Sequence, residues 1–321
     1  MTLTDFRDEI ISGFLTLAPK VDPAKAALEI DPISNDVANI LGEPSGLDVI
    51  EFIGEELIKN RVPFYLTEVL PDRKEIEGLA KKFYDRDDQK NLKIILHIFD
   101  EFWQKSKSTT PEHFFNGLKK FGMSKGIVTK NSILKICCNC HSENPVASSN
   151  DCCKSRQNVL EVFELSLHEK VESTLRYNQH LEIYVKNHLN KLGIDTIGWK
   201  KNQYGRDICT SITYQIDGEP VEIDTIGITK PLAILLIEAK TSKNISMSEI
   251  RKTSNKFDRI ITKISTIITN HKFTFLKIFV TSGNFDPNLS LSGYQRQGWV
   301  FIDKEKIAKI DGEFKTIQNS L

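Results

Sequence analysis

Residues 221–243 read VEIDTIGITKPLAILLIEAKTSK. Within this stretch, LAILLIEAK (residues 232–240) is a near-continuous apolar run, the pattern of a central strand covered on both faces. Before it, ICTSITYQID (208–217) and PVEIDTIGI (220–228) predict a hairpin across Asp217-Gly218, because Asp-Gly supplies the left-handed conformations of a two-residue turn. Further upstream, HLEIYVKNHLNKLGI (180–194) predicts an amphipathic helix. Leu181, Tyr184, Val185, Leu189 and Leu192 share one face, and Gly193 ends it. Downstream, MSEIRKTSNKFDRIITKISTIITN (247–270) predicts a long helix, FTFLKIFVTS (273–282) a further strand, and GWVFIDKEKIAKI (298–310) a last strand and short helix. Strands alternating with helices around one buried strand define an α/β fold, a mixed sheet flanked by helices.

The charges in the opening stretch are misplaced for plain strands. Asp224 lies on the second hairpin strand and Glu238 near the end of the central one. A turn at Thr229-Lys230-Pro231 would run the chain back antiparallel and set both carboxylates at one end of the sheet. Glu238 and Lys240 are two residues apart, so a strand projects them from the same face. Two carboxylates at close range repel, and one pKa rises, unless a cation joins them. Hard divalent cations take such oxygen ligands, and Mg²⁺ needs only one or two from the protein. A neighbouring ammonium can stabilise charge that develops at a phosphate. The bland alternative is a set of solvated or mutually paired strand-end charges.

Two neighbours sharpen the pattern. Glu182, in the helix before the hairpin, can be aimed at the same end of the sheet. From Lys240 to Lys277 there are nine basic residues and two acids. Lys243, Arg251, Lys252, Lys256 and Arg259 make a basic flank suited to phosphate contacts, which give sequence-independent affinity. A solvated lysine-rich helix face is the competing reading.

Glu182, then Asp224, then Glu238-Ala239-Lys240, on helix, strand and strand, resemble the PD-(D/E)XK nuclease superfamily. E-x2-V-x3-L-x2-L-G, EID and IEAKT are most similar to the Mrr-like restriction endonucleases, and QRQGWVFIDKEKI resembles that family's last strand and helix. The resemblance spans roughly residues 179–310. Ile223 departs from it, standing where the superfamily name has proline. The resemblance implies a restriction-endonuclease-like fold with Asp224 and Glu238 as ligands for Mg²⁺ (or Mn²⁺), Lys240 as catalytic lysine and Glu182 as auxiliary acid. It implies a metal-dependent endodeoxyribonuclease of restriction or repair type that often works as a pair of copies. DNA is the expected substrate, with RNA left open. The rival expectation is a non-catalytic nucleic-acid-binding or assembly protein on a nuclease-like scaffold.

The remainder of the chain reads differently. Residues 1–130 carry apolar residues at three-to-four spacing between prolines, which predicts a separate, mainly α-helical domain for contacts or assembly. Five of the six cysteines fall within Cys137–Cys153. Cys137-x-x-Cys140 has the spacing of a metal knuckle, and "CxNCxSENPV" resembles the first half of a zinc ribbon. The adjacent Cys152 and Cys153, which depart from a second Cys-x-x-Cys, or Cys152 with His141, would complete a structural Zn²⁺ site over residues 131–158; a ribbon without metal, or redox chemistry, is the competing reading. Residues 159–178, half strand-like and half helical, read as a connector into the domain at 179–321.

The totals exclude less. The 321 residues hold 43 basic and 43 acidic side chains, a formal charge of zero, so the basic flank is a local feature. No apolar run is long enough to span a bilayer. The acidic opening MTLTDFRDEI lacks a basic region followed by an apolar stretch, which predicts a cytoplasmic protein. GIVTKNS lacks the Gly-Lys-Ser/Thr ending of a phosphate-binding loop.

Overall fold

The computed structural model describes residues 3–17, 32–43, 46–54, 64–67, 127–137, 159–176, 178–197, 212–229, 232–269 and 272–321, with isolated positions 58, 116–117 and 120. They divide into two compact units. One joins Met1–Gly42 to Tyr177–Leu321, and the other is Glu43–Arg176.

In the first unit the elements are α1 (Leu3–Leu17), α2 (Pro32–Asn39), α3 (Gln179–Lys191), β1 (Asp195–Ile197), β2 (Ile212–Ile216), β3 (Glu219–Ile223), β4 (Thr225–Thr229), β5 (Ala233–Lys240), β6 (Asn244–Ile245), α4 (Met247–Ile267), β7 (Thr274–Thr281), β8 (Asn284–Phe285), α5 (Ser292–Gln295), β9 (Trp299–Ile302), α6 (Lys304–Ile307) and α7 (Ile310–Ser320). Five strands form one sheet in the order β9-β7-β5-β4-β1. Strands β9, β7 and β5 run parallel, whereas β5–β4 and β4–β1 pair antiparallel, so the sheet is mixed as expected. Seven of the eight residues of β5 are buried, in keeping with its apolar run and central place.

Alternation along β5 splits the core. Ile234 and Leu236 join α4 residues Ile250, Phe257, Ile260 and Ile264 in one apolar cluster. With the buried Thr253 between the first two, those α4 positions recur every three or four residues, the stripe a surface helix buries. Ser246 caps α4 and is capped in return by Glu249, so its first turn is satisfied locally. Helix α3 lies against β5, β4, α2 and α7 and is buried well beyond its expected single face. The Asn187 amide donates to Asn35 of α2 at 2.7 Å, and the Tyr184 hydroxyl donates to the Ile307 carbonyl at 3.1 Å.

Three expectations are revised. The chain from Pro220 to Ile228 is not one strand: β3 stays with β2 in a two-stranded sheet, and the chain bends at Asp224 to enter the five-stranded sheet as β4. The hairpin turn itself falls at Asp217-Gly218, with φ of 53° and 82°, as the sequence predicts. Next, the first helices do not form a domain apart from the sheet. Ile10 and Phe14 of α1 sit in the same cluster as α4 and β5, because an amphipathic helix buries its stripe wherever an apolar face is open to it. Finally, residues 159–178 are more than a connector. Val159–Leu167 is the middle strand of a three-stranded antiparallel sheet between Phe64–Thr67 and Val128–Cys137, followed by the helix Glu169–Arg176. Phe64–Thr67 lies in the stretch expected to be helical, where Gly46–Phe52 is a helix, and Val128–Cys137 starts at the end of that stretch and runs into the one expected to be a zinc ribbon. No helix among the described residues is long and apolar enough to cross a membrane.

One packing detail makes a stability prediction. Tyr214 of β2 meets the edge of Phe14 at 5.6 Å between ring centroids, yet its buried hydroxyl has no hydrogen-bond partner among the described residues. Losing a buried, unpaired hydroxyl while keeping the ring removes a desolvation cost of about 1 kcal/mol. Tyr214→Phe is therefore expected to raise the melting temperature by about 2–4 °C. A lower melting temperature in calorimetry would show that the hydroxyl is bonded in solution.

Candidate functional site

The site forms at the carboxyl end of β5, the end at which open α/β sheets bind their ligands. Pairing of β4 with β5 ends at Thr225↔Ile237. One step further, the same register would set Asp224 across from Glu238. At that step the backbone bends, and the Asp224 carboxylate takes over the pairing by accepting the Ala239 N–H at 2.8 Å. Asp224 is 5% exposed and Glu238 2%.

Glu238 holds two ammonium groups. Lys240 Nζ lies 2.7 Å from one oxygen, and Lys256 Nζ, reaching in from α4, bonds the other. Asp224 and Glu238 repel across the strand pair. Burial, and then Glu238, push Asp224 up to about 6, against the pull of Lys256, the Ala239 N–H and Lys240. Burial lowers Lys240, but Glu238, Asp224 and Glu222 outweigh it and leave this ammonium above its ordinary value.

Glu182 enters from the first turn of α3. Burial, and then Asp224, push it up to about 8, with Glu222 adding to the rise and Lys186 and Lys240 opposing it. One of its carboxyl oxygens is buried without a hydrogen-bond partner among the described residues. Of the four residues read from the sequence, Asp224, Glu238 and Lys240 interact with one another, and Glu182 interacts with Asp224 and Lys240.

The basic flank divides. Arg251 and Lys252, in the first turns of α4, are exposed, and Lys243 is exposed in the loop after β5. Lys256 instead turns to Glu238. Arg259 donates to the Ile216 carbonyl at 2.9 Å and pairs with Glu219 at 2.8 Å, which makes it a brace for the β2–β3 hairpin. Lys263 reaches Asp217 of the same hairpin at 3.4 Å. Of the residues expected to face phosphate, Lys256 is thus engaged by Glu238, and Arg259 by Glu219 and the Ile216 carbonyl, in this structure.

Sequence reasoning missed two features of the site. Lys186, fully buried one helical turn beyond Glu182, was legible as a Glu-Lys pair at i,i+4. Lys256 as a partner of Glu238 left no local sign. Among the cysteines, only the backbone of Cys137 is described, as the end of the strand Val128–Cys137; Cys140, His141, Cys152 and Cys153 lie outside the described residues.

Among the described residues, no three His, Cys, Asp or Glu side chains stand together closely enough to hold a metal by themselves. A pair can serve an ion that fills its other positions with water and substrate oxygens. Asp224 and Glu238 are two hard oxygen donors on neighbouring strands, with each Glu238 oxygen held by an ammonium group in this structure. The residues present fit a divalent ion of the Mg²⁺ type.

No protein-family model and no curated protein matches the chain. Among solved structures, it is similar to that described as "Crystal structure of protein VC1899 from Vibrio cholerae", with a TM-score of 0.39 and 10% identity over 97% of this chain. The chain spans 57% of the length of that protein.

Proposed function

We propose that the protein is a metal-dependent endonuclease that hydrolyses phosphodiester bonds of DNA. The observation that carries this reading is the convergence of Asp224, Glu238 and Lys240 at the carboxyl end of β5, with Glu182 of α3 close enough to interact with Asp224 and Lys240. Asp224 and Glu238 would hold Mg²⁺ or Mn²⁺, which when bound supplies Lewis-acid stabilisation of the charge growing on the phosphate. Lys240 places a cation beside that charge, on a strand that cannot drift. Glu182, raised to about 8, carries a proton at neutral pH and would act as a proton source beside Asp224. Arg251 and Lys252 offer exposed positive charge to the nucleic-acid backbone. Action in the cytoplasm, pairing of two copies, a structural Zn²⁺ on the Cys cluster and use of RNA belong to the same reading.

A second reading has its own support. Each Glu238 oxygen already carries an ammonium, which is how a retired site would neutralise its carboxylate. A nuclease-like scaffold that binds nucleic acid without turnover fits that observation.

Plasmid nicking by the full-length chain with Mg²⁺ or Mn²⁺ separates the two. Asp224→Asn, which keeps an acceptor for the Ala239 N–H, and Lys240→Met are each expected to lower cleavage at least about 100-fold. Variants that cut as well as the wild type would sink the site assignment. Salt-sensitive DNA binding with no product under any divalent metal would establish the second reading instead.

A further inference from the structure

Glu238 has two cationic partners of different kinds. Lys240 belongs to the same strand, two residues on, and its ammonium is bound to stay near. Lys256 belongs to α4 and reaches Glu238 along a flexible four-carbon stem, its side chain 21% exposed. A carboxylate as deeply buried as Glu238 is costly to leave uncompensated. Any cation that uses a Glu238 oxygen must share it with an ammonium or take its place. The other basic residues further along α4 cannot exchange partners as simply, since Arg259 and Lys263 are committed to the hairpin. Lys256 lies one helical turn beyond Lys252, so release from Glu238 would let its ammonium swing toward the exposed face that Lys252 and Arg251 occupy.

We infer that Lys256 is a built-in counter-ion that competes with the divalent cation for Glu238: it neutralises the carboxylate in the metal-free protein and yields it on loading. The inference rests on the reading of Asp224 and Glu238 as cation ligands. Under it, the site folds without metal at the expense of affinity for metal, and the freed ammonium adds positive charge on the substrate side only once the site is loaded.

The test is calorimetric titration of the full-length, chelator-treated protein with Mn²⁺ and with Ca²⁺, using wild type, Lys256→Met, Lys256→Arg and Glu238→Gln. Lys256→Met is expected to bind both ions about tenfold more tightly. Its metal-free form should melt several degrees lower than wild type, and Mn²⁺ should recover more of that loss than it adds to wild type. Lys256→Arg, which keeps the charge and can pair the carboxylate in bidentate fashion, should bind no more tightly than wild type. If Glu238→Gln abolishes binding while Lys256→Met binds no more tightly than wild type, the counter-ion role is overturned and the cation site stands. If wild type and all variants fail to bind either ion, the reading of the site falls and this inference with it.

Discussion

Lys240→Met combined with Lys256→Met is expected to cost about 3–5 kcal/mol of stability at pH 8 in metal-free protein, and much less at pH 5. The two ammonium groups are the cations that Glu238 contacts, and removing both partners of a carboxylate this deeply buried leaves an uncompensated charge. Asp224 fixes the sign of the pH dependence. Its folded value, about 6, lies above its unfolded value, so the folded protein holds its proton more tightly. The stability that this proton confers is complete at low pH and is lost as pH rises from about 4 through 6. Glu182, raised to about 8, extends the same fall toward neutrality and beyond. Lys256 and Lys240 both hold Asp224 down. Without them it rises further, and the loss falls mainly on the alkaline side. Urea denaturation at the two pH values, with chelator present, measures the difference. A loss of equal size at pH 5 and pH 8 would mean that the lysines act through packing and not through charge.

Gly283→Ala is expected to destabilise the protein by about 3 kcal/mol or more. A methyl group there would lie closer than 3.0 Å to the carbonyl oxygens of Ser242 and Lys243, and backbone at this point has no slack. Gly283 lies between β7 and β8 and packs against Ser242 and Lys243 in the loop after β5. Its N–H bonds the Thr281 hydroxyl at 3.0 Å and its carbonyl accepts from Lys304 at 3.0 Å. Beside it, Ser282 donates to the Lys240 carbonyl at 3.1 Å and Asn284 to that of Lys243 at 2.9 Å. Separating the two chains would therefore shift the backbone of Lys240 as well. A drop in melting temperature together with a loss of Mn²⁺ affinity is the expected pair of effects. A variant as stable as wild type would show that this loop pair is looser than its geometry.

Much of the architecture was legible because it rests on short-range periodicity. The period of two along LAILLIEAK sends Glu238 and Lys240 to one side, and the left-handed turn at Asp217-Gly218 is written in the residue types. The bend at Asp224 was not legible. PVEIDTIGI alternates like one strand, and only the N–H of Ala239, offered by the neighbouring strand, shows why the chain turns there. Likewise the stripe on α1 predicts that the helix packs but not what it packs on. Lys256 was read with its helix neighbours as a surface cation, since a lysine's target is set by what lies beneath its helix. The strand Val159–Leu167 was seen as strand-like, yet its partners stand some 30 and 100 residues away along the chain.

The bond from Asp224 to the Ala239 N–H changes how related sequences would be read. That carboxylate closes the last rung between two strands as well as standing within electrostatic reach of Glu238. A lineage that gave up the chemistry would still profit from an Asp or Asn at this position, because alanine would leave a buried N–H without an acceptor. An acid at 224 is therefore weak testimony to an active descendant. Lys240 closes no rung with its side chain, and Lys256 keeps an ammonium on Glu238 in its absence, so its replacement alone would cost the fold less if catalysis were not selected. Its retention or loss is the more telling character.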